Sequence, residues 1–299
     1  MPESHHPPSD PYGIIRDLPL WQGKTEIIPL SGGITNHNFL VSDARRRVVV
    51  RLGGDIPVHQ IMRFNEHAAS KAAAAAGISP PVVHAVPGVL VIDYIESNTL
   101  DSPGVRHDRV RCLELVKRAH REIPSRLRGP VLSFNVFHIL RDYRHTLIAG
   151  QSRMIEQLGG LAEKSETLQR LVGPIDLVFG HNDLLPGNFL DDGTRLWLVD
   201  WDYAGFNTPL FDLGGLSSNN GFDDADDRAM LESYFETPVT DALFVRYHAM
   251  RSASLLREAV WSMVSELHST LNFDYIAYTT ENMARFERAW TRLQELTGS

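Results

Sequence analysis

The hydrophobic pattern divides the chain in two. From Ile27 to Ile92 the apolar residues come in short runs rich in β-branched types, separated by turn residues. Ile27-Ile28-Pro29-Leu30, Asn38-Phe39-Leu40-Val41, Val48-Val49-Val50, Val82-Val83 and Val89-Leu90-Val91-Ile92 read as strands, because runs of this kind bounded by Gly, Pro and Asp favour extended backbone. One helix interrupts them. Val58 to Ala76 is rich in helix formers, follows Pro57 and ends at Gly77, the punctuation expected of a helix start and stop. Met62, Glu66, Ala69 and Ala73 recur along one face of it. Pro80-Pro81 breaks the chain before the last two strands.

Beyond Asn98 the pattern turns helical. Val110, Leu113, Val116 and Ala119 stand at helical spacing in a segment from Val105 to Ile123, which Pro124 stops. Phe134 to Leu171 supplies two more helices, with Gly159-Gly160 interrupting them. Leu177-Val178-Phe179 and Leu196-Trp197-Leu198-Val199 return to β character and are expected to form one hairpin. Tyr247 to His268 reads as a long helix with Met250, Ala253, Leu256, Val260, Val264 and Leu267 as its core stripe and Trp261 at the stripe's edge. The expectation is an α+β chain with a loose polar tail at 1–12, a small β-rich lobe at 13–96 and a large, mainly helical lobe at 97–299.

Composition narrows the function classes. A 43% hydrophobic and 22% charged chain can bury a sizeable core. The net charge of -8 argues against a nucleic-acid binder, which usually carries a basic face. The single cysteine, Cys112, excludes an intramolecular disulfide, reads as a buried small hydrophobe and fits a reducing compartment. No apolar run reaches membrane-spanning length and no signal-peptide pattern opens the chain, so a cytoplasmic protein without membrane insertion is expected. Oligomeric state is not encoded in any of these features. His107, His120, His138 and His145 stand among Arg and Asp and read as surface or capping groups. The acidic run from Ser217 to Asp227 reads as a solvated loop with a helix N-cap.

The candidate chemistry lies between Val178 and Tyr203. His181, Asp183, Asn188 and Asp200 follow in order at the end of the two predicted strands. A hydroxyl attacking the γ-phosphate of ATP needs a carboxylate to orient it and take its proton, and the triphosphate needs Mg²⁺ held by hard oxygen ligands. Asp183 suits the first role; Asn188 and Asp200 suit the second. The spacing, Asp two residues after His and Asn five after that Asp, matches a kinase catalytic loop. A surface hairpin with a few solvated carboxylates would explain one Asp-rich turn, but not the ordered set. Two other features bear on phosphate. Ser31-Gly32-Gly33-Ile34-Thr35-Asn36 is a Gly-rich loop between strands, where backbone N–H groups can approach phosphate oxygens, though no Walker A lysine follows. Glu66 lies on an apolar stripe, where a carboxylate needs a cationic partner, and Arg51 at the end of its strand is the candidate.

HNDLLPGN followed by LVDWDYAG resembles the aminoglycoside phosphotransferase and choline kinase superfamily, within the protein-kinase-like enzymes. LSGGITNHNFLV, VWSMVSEL and FDYIAYTTENMARF are similar to choline/ethanolamine kinases in particular. The resemblance implies a protein-kinase-like two-lobe fold with ATP and Mg²⁺ in the cleft. It implies nucleotide contacts from Ser31, Gly32, Gly33, Thr35, Asn36, Arg51 and Glu66, and adenine at the backbone of a hinge near Asp93 to Glu96. Asp183 would be the catalytic base, Asn188 and Asp200 the metal ligands, and Asp202, Asn219, Trp261 and Tyr278 the acceptor site. Asp212 would bond backbone groups near the catalytic loop. Two positions depart from the family pattern: Asn219 replaces a carboxylate, and Glu258 replaces a second Trp. A carboxylate at 258 would suit a protonated amine. The implied activity is phosphoryl transfer to a small amino alcohol, choline or ethanolamine. An aminoglycoside, thiamine or sugar acceptor is a second reading, which the aromatic C-terminal segment disfavours. An inert nucleotide-binding module is a third, which the intact Asp183, Asn188 and Asp200 disfavour.

Overall fold

In the computed structural model, which describes residues 10–30 and 36–298, the small lobe is an antiparallel sheet with two helices. Helix α1 (Pro11–Arg16) leads to β1 (Glu26–Leu30), β2 (His37–Ser42), β3 (Arg47–Leu52), helix α2 (Arg63–Ala75), β4 (Val82–Val86) and β5 (Val89–Asp93). The strand order is β1-β2-β3-β5-β4. Asp10 caps α1 by accepting from the Gly13 N–H at 2.8 Å, and Ile15 is buried with Val41, Val48, Val50 and Val91. Residues 11 and 12, assigned above to the tail, therefore belong to this lobe.

Helix α2 starts five residues later than its pattern predicts. Pro57–His59 forms a separate turn, Gln60 takes a left-handed φ of 59°, and Met62 becomes the N-cap rather than part of the stripe. Glu66, Ala69 and Ala73 are buried as their spacing implies. Gly77, at φ +64°, ends the helix, a conformation glycine adopts without a Cβ penalty. The alanines of α2 pack into the core of the large lobe and not into that of the sheet.

The large lobe contains β6 (Asn98–Thr99), α3 (Ser102–His107), α4 (Arg109–Glu122), α5 (Val136–Ala149), α6 (Leu158–Val172), β7 (Val178–Gly180), β8 (Phe189–Asp191), β9 (Leu196–Leu198), β10 (Gly205–Asn207), α7 (Pro209–Asn219), α8 (Asp224–Phe235), α9 (Asp241–His268) and α10 (Tyr275–Thr297). Three expectations change. The helix foreseen from Val105 to Ile123 is two helices meeting at Asp108. The break between α5 and α6 falls before Leu158, and Gly159 and Gly160 lie in the first turn of α6. The two apolar runs around the candidate site do not pair with each other. β7 pairs with β10, and β9 pairs with β8, whose other edge takes β6. The intervening chain carries its own strand, which takes β9, and β7 is left to the later β10.

Helix α9 is the axis of the lobe, buried along most of its length, with only Leu267 of the predicted stripe exposed. Helix α7 crosses it so closely that a Cβ on Gly214 would stand 2.9 Å from the Arg251 Cα. Cys112 is fully buried, and burial pushes its thiol up to about 12. No helix among the described residues is long and apolar enough to cross a membrane.

Candidate active site

A cavity of about 700 Å³ lies between the lobes, lined from above by Asn38, Arg51 and Glu66 and from below by Asp183, Asn188, Asp200 and Asp202. Its far end is closed by Arg257, Glu258, Trp261 and Tyr278.

The loop after β7 is built on buried Asp212. Its Oδ2 accepts from the His181 N–H at 2.8 Å and its Oδ1 from the Asn182 N–H at 2.7 Å, while His120 Nε2 lies 2.8 Å from Oδ2. Burial alone would raise the Asp212 carboxyl, but the His120 bond and the neighbouring charges hold it below its ordinary value. His120 is thus a buried partner, also 2.8 Å from the Tyr234 hydroxyl, and not a surface group. Asn182 takes a left-handed φ of 64° and donates to the Tyr203 carbonyl at 2.9 Å. Burial pushes the His181 imidazole down, so it is neutral. Its Nε2 donates to the Val199 carbonyl at 2.9 Å, and its Nδ1 accepts from the Asp183 N–H at 3.3 Å.

These bonds tie the loop to the strand that follows. Asn188 Nδ2 donates to the Asp183 carbonyl at 2.8 Å, and the Val199 N–H donates to the Asn188 carbonyl at 3.0 Å. Asp200 sits at φ 71°. Left-handed non-glycine residues cost free energy and cluster where surrounding structure fixes them for a purpose. Asp183, Asn188 and Asp200 therefore meet at one place, although not on one hairpin. Burial pushes the Asp183 carboxyl well above the usual carboxylate range; Glu258 adds to the rise and Arg257 opposes it.

Above them lies a charge network. Arg51 Nη1 is 2.7 Å from Glu66 Oε1, 2.7 Å from Asp200 Oδ1 and 2.9 Å from Asp202 Oδ1. Arg63 Nη1 is 2.6 Å from Glu66 Oε2 and 2.8 Å from Asp202 Oδ1. Burial opposes the Arg51 charge, but Asp200, Asp202 and Glu66 outweigh it. Glu66 is pushed up by burial and by Asp202, and pulled back by Arg51 and Arg63. The pair expected between Arg51 and Glu66 is present, but as part of a larger cluster. Sequence reasoning missed Arg63, whose only signal is its position three residues before Glu66. Asp202, expected at the acceptor, has Oδ1 on the two guanidinium groups and Oδ2 on Asn36 Nδ2 at 2.9 Å. It faces the small lobe. Ser31, Gly32, Gly33 and Thr35 lie outside the described residues.

At the far end, Trp261 is 5% exposed, tilted against His59 at 5.0 Å between ring centroids and edge-on to Tyr275 and Tyr278. Glu258 Oε1 accepts from the Tyr278 hydroxyl at 2.8 Å and Oε2 from Arg257 Nη1 at 3.0 Å. Arg257, a second residue missed from the sequence, is buried with its guanidinium carbon 4.2 Å from the centre of the Tyr203 ring. Asn219 does not reach the main cavity. It borders a narrow crevice behind Asp183, where its Oδ1 accepts from Arg285 Nη2 at 3.2 Å.

Comparisons with known proteins bear on the family and the fold. The family model described as choline/ethanolamine kinase matches residues 27–246. Protein LicA of Haemophilus influenzae is 27% identical over 287 residues, covering 90% of this chain and 81% of its own. Ethanolamine kinase 2 of Rattus norvegicus is 26% identical over 297 residues, covering 89% of this chain and 77% of its own. The crystal structure of a choline/ethanolamine kinase family protein from Mesorhizobium loti superposes with a TM-score of 0.71 at 28% identity, covering 93% of each chain. With the two-lobe fold and the clustered carboxylates already in view, a match over most of the chain places it in the choline/ethanolamine kinase family, a phosphotransferase acting on an alcohol group.

Proposed function

We propose that this chain transfers the γ-phosphate of ATP to the hydroxyl of a cationic amino alcohol, with choline and ethanolamine as the candidate acceptors. One observation carries the reading. A single cavity has Asp183 on its floor and, at its far end, a carboxylate and aromatic rings from Glu258, Trp261 and Tyr278. That end suits a cation, and Asp183, a carboxylate on the cavity floor whose oxygens no described side chain hydrogen-bonds, suits taking a proton from the hydroxyl.

Asn188 and Asp200 would hold Mg²⁺. The donor set fits, because the Asn188 amide nitrogen is spent on a carbonyl and leaves its oxygen, while Asp200 keeps Oδ2 beyond its Arg51 contact. Mg²⁺ would offset the charge of the triphosphate there. Arg51, steadied by Glu66, would face the phosphates, with Ser31, Gly32, Gly33, Thr35 and Asn36 covering them and the backbone near residues 93–96 receiving adenine. The cytoplasm, which supplies ATP and keeps a lone thiol reduced, is the proposed site of action. ADP release measured against a panel of amino alcohols, aminoglycosides, thiamine and sugars tests the reading. Release with sugars or aminoglycosides alone would overturn the acceptor class, and nucleotide binding without release would favour an inert module.

Trp261→Ala should raise the acceptor KM and leave the ATP KM unchanged. A Trp face contributes about 0.5–2 kcal/mol to a bound cation; with His59 against Trp261, which is 5% exposed, the lower end applies, a rise of about two- to threefold. Trp261 is also nearly enclosed, so the melting temperature must be measured on the same preparation. A less stable variant with both KM values unchanged would assign Trp261 to packing alone.

A further inference from the structure

We infer that the acceptor's cation is an amine that still carries N–H groups, and that Glu258 selects it over a quaternary ammonium; the inference rests on the amino-alcohol kinase reading above. Glu258 and Trp261 are one turn apart on α9 and face the same cavity. Tyr278 and Arg257 hold the Glu258 carboxylate in place, one bond to each oxygen, and its side chain keeps 23% of its surface exposed. A carboxylate offers about four lone-pair positions, so about two remain for a ligand.

Glu258 places a carboxylate at this end, held beside the buried Arg257 guanidinium and left with room for a cation. Charge alone would accept any ammonium. The aromatic surface discriminates. A quaternary ammonium cannot donate hydrogen bonds and relies on open π faces. Here Trp261 is covered by His59 and meets Tyr275 and Tyr278 edge to face, and the Tyr278 hydroxyl is committed to Glu258. Little open π surface remains, whereas a fixed, negatively charged acceptor stands ready. Each N-methyl group removes a donor to that carboxylate and holds the positive centre farther from it. A site built around hydrogen bonds to its ligand rejects analogues that lack the donor.

Four acceptors form the test: ethanolamine, N-methylethanolamine, N,N-dimethylethanolamine and choline. kcat/KM should fall on the order of 10- to 100-fold across the series, the value of one charge-assisted hydrogen bond, with the steepest step at choline, where the last N–H is lost. Glu258→Gln should lower kcat/KM for ethanolamine more than for choline, which loses only the charge attraction and no hydrogen bond, compressing the ratio, with the ATP KM unaltered. If that variant is poorly folded, the wild-type series still decides. Equal or better use of choline by the wild-type enzyme overturns the inference and leaves the kinase reading standing. An unchanged ratio in folded Glu258→Gln also overturns it. Absence of turnover with all four, alongside turnover of an uncharged alcohol, overturns both.

Discussion

Asp183→Asn loses turnover on the order of 10²–10⁴-fold, the range for removing a general base, and keeps its fold and its ATP affinity. The structure explains why the two effects separate. The main chain of Asp183 is held by His181 and Asn188, through its N–H and its carbonyl. Among the described residues no side chain hydrogen-bonds its carboxylate. The substitution therefore removes no support from the loop and keeps the size of the side chain. What changes is the ability to take a proton from a hydroxyl. ADP release and calorimetric ATP binding on the purified variant check both halves, and turnover near that of the wild type would reject Asp183 as the base.

The second large effect concerns stability. Glu66 is 1% exposed and is shared by Arg51 and Arg63. Breaking a buried ion pair by deleting one partner costs about 3–5 kcal/mol, because the remaining charge stays out of water without its partner. Glu66→Ala should cost an amount in that range in denaturant unfolding. The loss should be non-additive with Arg63→Ala, with a coupling of about 0.5–3 kcal/mol for residues in one network. Strict additivity, or a loss no larger than that of a surface pair, would mean that Asp200 and Asp202 alone satisfy the two guanidinium groups.

The parts of the site legible in the sequence are those that obey a local rule. His181, Asp183, Asn188 and Asp200 stand at fixed offsets along one segment, and Glu66 betrays itself by interrupting an apolar stripe. Other parts depend on pairing or on backbone departures that no spacing encodes. Asp200 and Asp202 would point the same way in a regular strand, but the left-handed Asp200 ends that alternation and Asp202 turns to the small lobe. Gly205-Phe206-Asn207 is too short and mixed to announce a strand, so the partner of β7 was hidden. His120 did leave a signal. It lies four residues after Val116 on a buried stripe, yet reads as polar until Asp212 and Tyr234 are seen to satisfy both ring nitrogens. Arg257 left the same kind of signal, four residues after Ala253 and three before Val260 on the buried stripe of α9.

The charge network has a consequence for how the molecule comes apart. Arg51, Arg63 and Glu66 belong to the small lobe, while Asp200 and Asp202 belong to the large one. Asn65 adds buried bonds across the same boundary, donating to the Ala204 carbonyl at 2.7 Å and accepting from the Leu132 N–H at 2.9 Å. The sheet side of the molecule thus lacks an independent folding unit: severed near residue 96, it would keep desolvated charges without their partners and an alanine-faced helix without its core. Heat should therefore take the chain through one cooperative transition, and two resolved calorimetric steps would contradict this coupling. A chimaera with the small lobe of a relative should fold only when the incoming lobe brings two cations to meet Asp202.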